Sequence, residues 1–258
     1  MGLPLSCRQR LLNGQRLIGG WIQVIHPTAA EIIGRAGFDW VAIDCEHTEA
    51  TMDQLAQLVR VLERYPTVPM ARVRENSTLN IRQALDLGIG GVIVPLVHDR
   101  TAAEAAVAAA KYPPKGIRGF AFQRANAFGL DFAEYVARAN EDVSVVAMIE
   151  SRQGVENVRE ILSVDGIDGV FMGPYDLSGS YGLPGRVDDP VVTGAIERVI
   201  TAAQDVGKSV GLHQVNPDPA KIKACLERGL NFLAVGMDTV FLRDAAAGAV
   251  AAAMRDHT

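Results

Sequence analysis

The sequence predicts a single (β/α)8 TIM barrel, and two observations lead to that fold. Eight β-rich runs alternate with eight helical stretches along 258 residues, which leaves about 32 residues for each strand and its helix, the length of one barrel unit. Several of the β-rich runs, such as VSVVAMI and GVFM, are apolar without interruption. Strands that are apolar on both faces are typical of a parallel sheet covered by helices. We therefore expect one α/β domain over residues 1–258.

The predicted strands follow one another at intervals that leave room for a helix. They cover Leu17–Val24, Trp40–Asp44, Pro69–Val73, Gly91–Leu96, Val143–Ile149, Gly169–Met172, Ser209–His213 and Phe232–Val235. The helices between them begin at residues that favour helix starts, such as Pro27, and glycines such as Gly37 follow several of their ends. They cover Ala29–Ala36, a run from Thr51 or Asp53 to Arg64, Thr78–Leu87, Thr101–Lys111, Gly154–Leu162, Pro190–Val206, Pro219–Arg228 and Thr239–Met254.

One segment, at about residues 112–142, is longer than the regular spacing of strands and helices requires. It contains three glycines, a further predicted helix near Asp131–Asn140, and four of the eight phenylalanines. An insertion of this length either packs its aromatic side chains on the outer helices, reaches over the mouth of the barrel, or contacts another subunit.

Composition excludes several classes of partner. The net charge is −5, and no Lys/Arg-rich run occurs, so we expect no nucleic-acid or anionic-membrane partner. Three scattered cysteines form neither a disulfide framework nor a zinc-ligand pattern, which favours a reducing cytoplasm. The start of the chain lacks the apolar core of a signal peptide, and no stretch approaches the roughly 18 apolar residues of a membrane span.

Acidic residues follow two neighbouring predicted strands at their carboxyl ends, where barrel enzymes place their active sites. Glu150 and Asp176 are one strand–helix unit apart. Two carboxylates from adjacent strand ends provide hard oxygen ligands for Mg²⁺, Mn²⁺ or a similar divalent ion. The alternative is that each acid caps the helix that follows it.

A second group of polar residues follows the second and third strands. His47, beside Asp44, is a candidate base held in one tautomer, although a lone histidine is often structural. Arg72 is placed to bind a carboxylate or to stabilise an oxyanion, unless it pairs with a local acid such as Glu46. Cys45 is either a reactive thiol or a small buried residue, and the adjacent acids favour the second interpretation.

The lysines argue against one kind of chemistry. Only five of the 25 basic residues are lysines, and we place none of them at the carboxyl end of a strand, where a Schiff-base lysine of a barrel aldolase stands. No GxGxxG or Walker-type loop occurs, so a nucleotide cofactor has no support. Carbonyl chemistry here is expected to depend on a metal.

Six strings carry a resemblance to a known family over nearly the whole chain. They are AGFDWVAIDCEH (36–47), VPMARV (68–73), YPPKGIRG (112–119), IESRQGVENV (149–158), GIDGVFMGPYDLSGSYG (166–182) and FLAVGMDT (232–239). Together they resemble the HpcH/HpaI group of class II 2-oxo acid aldolases. The resemblance implies reversible retro-aldol cleavage of a 4-hydroxy-2-oxo acid to pyruvate and an aldehyde, with a divalent metal ion (Mg²⁺, Mn²⁺, Co²⁺ or Zn²⁺).

The resemblance also implies roles for individual residues. Glu150 and Asp176 match the two metal ligands, His47 the catalytic histidine and Arg72 the arginine that polarises the substrate. The backbone N–H groups around Tyr175 and Asp176 match the site of the pyruvate carboxylate. Asp86 matches an acid that partners the histidine. Because Asp86 ends a helix, it can reach a histidine only in a neighbouring subunit, which fits a homohexamer (a trimer of dimers) with a swapped last helix.

The sequence departs from the family pattern at several positions. Met148 stands where many members have glutamine, Cys45 where glycine is common, and Tyr175 where alanine is common. His213 stands where some relatives have an aliphatic residue that faces the aldehyde, and Trp21 is a further candidate for that pocket. The competing functions are a citrate-lyase-like enzyme acting on a CoA thioester, an oxaloacetate decarboxylase, and a non-catalytic barrel that binds a small acid.

Overall fold

Eight parallel strands form a closed barrel in the computed structural model, which describes residues 6–255. Each strand pairs with the next along the chain, and the eighth pairs with the first. The strands are β1 (Leu17–Ile22), β2 (Trp40–Asp44), β3 (Val68–Arg72), β4 (Gly91–Val94), β5 (Ser144–Ile149), β6 (Gly169–Met172), β7 (Ser209–Gln214) and β8 (Phe232–Val235). The predicted fold is confirmed, while residues 1–5 and 256–258 of the predicted domain lie outside the described range.

Most of the helices that cover the barrel begin and end close to the predicted positions. The predicted helix Gly154–Leu162 is divided in two, and the helices Cys7–Leu12 and Pro174–Ser180 have no predicted bounds. The helices are α1 (Cys7–Leu12), α2 (Pro27–Arg35), α3 (Met52–Leu62), α4 (Thr78–Asp86), α5 (Arg100–Ala110), α6 (Phe132–Asp142), α7 (Arg152–Glu156), α8 (Val158–Leu162), α9 (Pro174–Ser180), α10 (Pro190–Asp205), α11 (Pro219–Glu227) and α12 (Asp238–Arg255). Within residues 6–255, none of these helices has the length and apolar character needed to cross a membrane.

Helix α1, which the sequence pattern does not predict, lies against the amino end of the barrel. Ser6 and Gln9 form a reciprocal cap at its start, which satisfies two otherwise free N–H groups. Its buried residues Cys7 and Leu11 belong to the same apolar cluster as the side chains inside the barrel. The hydroxyl of Ser209 on β7 donates to the Leu11 carbonyl over 2.9 Å, so this helix closes the amino end.

Large aromatic side chains fill the barrel interior below the site. Trp40 stacks on Phe232 with ring centroids 4.1 Å apart, and Phe171 meets both rings edge-on. Gly19 on β1 provides the space for Trp40, because a Cβ at Gly19 would lie 2.1 Å from the indole. The interior is therefore a packed core, as in other barrels of this type.

The insertion at about residues 112–142 is attached to the amino end of the barrel. Arg118 donates to Asp86 at the end of α4 over 2.9 Å, and Arg124 donates to the Leu87 carbonyl over 2.6 Å. Tyr112 and Phe120 stack with their ring centroids 4.8 Å apart. These contacts keep the residues that make them away from the mouth of their own barrel. The rings of Phe120 and Phe122 contact other rings of the insertion, and Phe120, Phe122 and Phe128 are more than half exposed, so the expected packing on the outer helices is wrong for these three phenylalanines.

Candidate active site

The carboxyl ends of the strands surround a cavity of about 170 Å³. Six of the nine predicted site residues line it: Trp21, His47, Arg72, Tyr175, Asp176 and His213. Asp44 and Glu150 lie directly behind this lining, in contact with Arg72 and with the loop after β4, respectively. A cavity of this size suits a small metabolite better than a drug-sized ligand.

Asp44 fixes the position of Arg72. The two residues are direct neighbours in the pairing of β2 with β3. Arg72 Nε donates to Asp44 Oδ1 over 3.0 Å, and Nη2 donates to Oδ2 over 2.6 Å. Burial would raise the pKa of Asp44, but the hydrogen bonds and charge of Arg72 outweigh that effect and hold the pKa below its usual value. The second oxygen also accepts from Gln23, a contact that the sequence did not reveal.

The structure places Asp44 against Arg72 rather than against the ring of His47. Asp44 Oδ1 accepts from the backbone N–H groups of Glu46 and His47, so it shapes the turn that carries the histidine. The His47 side chain is 58% exposed, and its Nε2 lies 3.7 Å from Glu46 Oε2. Glu46 Oε2 in turn lies 3.1 Å from Arg72 Nη1, which adds Glu46 to the site.

Glu150 is a buried carboxylate held from two sides. Its Oε1 accepts from the backbone N–H of Leu96 over 2.8 Å, and Leu96 has the left-handed φ of +54° that is uncommon for a side-chain-bearing residue. A Cβ at Gly173 would lie 2.9 Å from Glu150 Oε2, so a larger residue there would require the carboxylate to move. Leu96 and Gly173 belong to the site for reasons of backbone geometry that side-chain chemistry could not reveal.

The electrostatics of Glu150 point to an uncompensated negative charge. Burial raises its pKa to about 7, against the hydrogen bond from Leu96, and the nearby charges of Glu46 and Asp176 contribute to the rise. The alternative that Glu150 caps the following helix does not apply, because Ser151 caps α7 through its own hydroxyl. Asp176 lies in the first turn of α9, whose N-cap is Gly173. Neither carboxylate caps a helix, so both are available to bind a ligand.

The remaining predicted residues occupy different places. His213 stacks on Trp21 with ring centroids 4.8 Å apart, and Trp21 carries the Arg72 guanidinium 5.1 Å from its own ring. Asp86 binds Arg118 and Gln123 at the amino end, and none of its hydrogen bonds within the described residues involves His47. Cys45 is buried, and burial raises the pKa of its thiol to about 12 with a further contribution from Asp44.

No strand of the barrel ends at a lysine, as expected from the sequence. Lys221 does line a cavity of about 300 Å³ that adjoins the site, because α11 begins at the same end of the barrel at which β7 ends. It is largely exposed and lies 3.6 Å from Asp188, unlike the desolvated lysine that Schiff-base chemistry uses. Lys111, by contrast, is buried at the amino end, where it donates to two backbone carbonyls.

Comparisons with known proteins show the family to which the chain belongs. The family model described as HpcH/HpaI aldolase/citrate lyase matches residues 17–245. The 4-hydroxy-2-oxo-heptane-1,7-dioate aldolase of Salmonella arizonae is 39% identical over 96% of this chain and 93% of its own length. The 5-keto-4-deoxy-D-glucarate aldolase of Escherichia coli is 36% identical over 94% of each chain.

A solved structure agrees as well. The crystal structure of an HpcH/HpaI aldolase/citrate lyase family protein from Burkholderia cenocepacia superposes with a TM-score of 0.92 at 31% identity, covering 96% of this chain and 98% of that one. The chain belongs to the HpcH/HpaI aldolase/citrate lyase family and is a carbon–carbon lyase.

Proposed function

We propose that this protein is a class II pyruvate aldolase, which reversibly cleaves a 4-hydroxy-2-oxo acid to pyruvate and an aldehyde with the help of a divalent metal ion. The observation that carries the proposal is the pair Glu150 and Asp176, whose charges interact beside the cavity that also contains Arg72. Membership of an aldolase family supports the reaction type.

The residues fit a divalent cation, with Glu150 and Asp176 as its protein ligands. The burial and like charges that raise the pKa of Glu150 are both offset by a cation beside it. No group of three His, Cys, Asp or Glu side chains within the described range is arranged to hold a metal, so water and substrate would complete the coordination, as is usual for Mg²⁺. When bound, such an ion supplies a Lewis acid that stabilises negative charge on the 2-oxo acid.

The protein groups share the remaining work. Arg72, fixed by Asp44, donates hydrogen bonds to the oxygen that gains charge when pyruvate becomes an enolate. The backbone N–H groups of Tyr175 and Asp176, in the first turn of α9, bind the substrate carboxylate. His47, exposed at the rim, takes the proton from the 4-hydroxyl group as the C3–C4 bond breaks. The electron pair of that bond passes to the enolate, which takes up a proton from water at C3 to become pyruvate. In the synthetic direction His47 returns its proton to the new hydroxyl group.

Exchange of the pyruvate methyl protons in D₂O, followed by NMR, tests the proposal. We expect loss of the methyl signal with Mg²⁺ or Mn²⁺ and not with a chelator. Glu150→Gln should abolish exchange, while Glu160→Gln, an exposed acid on α8, should leave it unchanged. The proposal fails if no divalent ion supports exchange, and borohydride trapping of a pyruvate adduct would show a Schiff-base mechanism instead.

We further propose that the protein works as a homohexamer in which α12 is exchanged between subunits and Asp86 contacts His47 of the partner subunit. Two features support the assembly. Helix α12 leaves Leu242, Val250 and Met254 exposed, and the cavity of about 500 Å³ beside its start is lined mainly by apolar side chains. Within residues 6–255, the two hydrogen bonds to the Asp86 side chain both go to Oδ1, so Oδ2 accepts none from this part of the chain. The three free cysteines favour the cytoplasm as its compartment.

A further inference from the structure

His213 forms one wall of the cavity together with Trp21. Its imidazole stacks on the Trp21 indole with ring centroids 4.8 Å apart at an angle of 25°, and the Arg72 guanidinium lies 5.1 Å from the indole ring. Trp21 therefore contacts both His213 and Arg72, the residue proposed to stabilise the pyruvate enolate. His213 also borders the adjoining cavity of about 300 Å³ between β7, α10 and α11. This is the position in which the aldehyde half of the substrate would lie.

The protein fixes which nitrogen of His213 carries the hydrogen. Nε2 lies 3.0 Å from the Gly236 carbonyl oxygen, and because a carbonyl only accepts, Nε2 must donate. Gly236 itself is tightly placed, with a φ of +67° and space for no Cβ, which would lie 2.2 Å from the Phe241 ring. Burial lowers the pKa of His213 to about 4, with the Gly236 hydrogen bond opposing the shift, so the ring is neutral at pH 7.

A neutral ring that donates through Nε2 has a lone pair on Nδ1. Among residues 6–255, no side chain or backbone group donates to this atom. Nδ1 is also not one of the polar atoms that are sealed from solvent without a partner. It is therefore a hydrogen-bond acceptor without a donor among these residues, on a ring that lines both cavities.

We propose that His213 is a specificity-determining residue, whose Nδ1 accepts a hydrogen bond from a hydroxyl group on the aldehyde half of the substrate. The inference rests on the proposed aldolase function. A hydroxyl group satisfies the acceptor, and a methyl group leaves it without a partner. An acceptor that is cut off from water by a substrate without a donor disfavours that substrate. The protein should therefore prefer hydroxyaldehydes to apolar aldehydes.

Glycolaldehyde and propanal test this preference, because they differ by a hydroxyl group in place of a methyl group. In aldol addition to pyruvate, we expect kcat/KM for glycolaldehyde to exceed that for propanal. His213→Leu and His213→Phe should lower this ratio about 10- to 100-fold, the effect of one lost hydrogen bond to a buried acceptor. His213→Phe retains the ring against Trp21, so it separates loss of the acceptor from loss of packing. Gln57→Leu, at an exposed position on α3, is the control and should keep the ratio.

Pyruvate proton exchange distinguishes the two ways in which the inference can fail. Exchange requires the enolate but no aldehyde, so both His213 variants should retain it. If they do and the ratio is unchanged, the specificity role is wrong and the aldolase proposal stands. If the unsubstituted protein catalyses no exchange, the aldolase proposal fails and this inference fails with it.

Discussion

Arg72 owes its position at the barrel mouth to Asp44, which lies beside it in the paired strands β2 and β3. Asp44→Asn should replace one acceptor with an NH₂ group that faces the guanidinium. We expect pyruvate exchange to slow about 10- to 100-fold, as for a lost charge-assisted hydrogen bond, with Mn²⁺ affinity unchanged. Rates by NMR and Mn²⁺ binding by electron paramagnetic resonance measure the two effects.

The matched control is Asp39→Asn, at the opposite end of β2, where Asp39 pairs with Arg10 and the Ile18 backbone. It changes the same kind of acid–arginine pair away from the site. Equal slowing of pyruvate exchange in both variants would show that Asp44 affects the rate through the stability of the protein rather than through the position of Arg72.

Cys45 lies between two acids and next to the site, yet we expect its thiol to be unreactive. Burial raises the pKa of the Cys45 and Cys7 thiols to about 12, so the reactive thiolate is scarce at pH 8. In the native protein at pH 8, we expect no rapid reaction of either thiol with Ellman's reagent, and full reaction after unfolding in guanidinium chloride. A rapidly reacting Cys45 in a variant without the other two cysteines would contradict this.

The sequence predicted which residues lie at the site better than it predicted which residues they contact. Glu150, Asp176 and Arg72 are at strand ends in both the sequence pattern and the structure. The partnership of Asp44 with Arg72 depends on the register of two residues that are 28 positions apart in the sequence, which no local pattern reports. The roles of Leu96 and Gly173 depend on backbone angles and close approach, which leave no chemical signature in the residue type.

At the scale of elements, the turn from β6 into α9 holds Glu150 in place through Gly173. Gly173→Ala would bring a Cβ within 2.9 Å of both Glu150 Oε2 and the Met148 Cε atom, so the carboxylate must move. We expect Mn²⁺ affinity to fall about 10- to 100-fold, as for disturbed support of a metal ligand, without loss of the fold by circular dichroism.

Gly179→Ala is the matched control, because it lies on the same helix and its Cβ would meet no atom within 4 Å. It should bind Mn²⁺ like the unsubstituted protein. Unchanged affinity in Gly173→Ala would mean that the Glu150 carboxylate does not depend on this contact.

The strands were predictable to within two residues at each end because buried apolar runs end abruptly at polar or glycine residues. The helices that differ from the prediction are short. The predicted helix Gly154–Leu162 is two helices, α7 and α8, that meet at Asn157. The sequence indicates a helix near Asp176 without giving its bounds, and the structure begins this helix, α9, at Pro174. Helices of five to seven residues present too few turns for an apolar period to appear.

At the scale of the whole molecule, the proposed hexamer predicts that two inactive variants restore one another. His47→Ala and Asp86→Ala should each lose activity alone. If Asp86 acts on the partner subunit, mixed hexamers should contain intact sites, about a quarter of the total for random exchange of subunits. Co-expression followed by pyruvate exchange and light-scattering mass measurement tests this. Reassembled His47→Ala alone is the control, and a mixture no more active than its components would place Asp86 outside the site.

Closure of the amino end by α1 has a kinetic consequence. With Cys7, Leu11 and the interior aromatic rings packed in one cluster, both products must pass through a single opening. Arg72 is 7% exposed and His47 is mostly exposed, so the pyruvate half lies deeper than the aldehyde half. Release should therefore be sequential, aldehyde first and pyruvate second. Product-inhibition kinetics should show pyruvate competing with the full-length substrate for the free enzyme, and the aldehyde inhibiting noncompetitively.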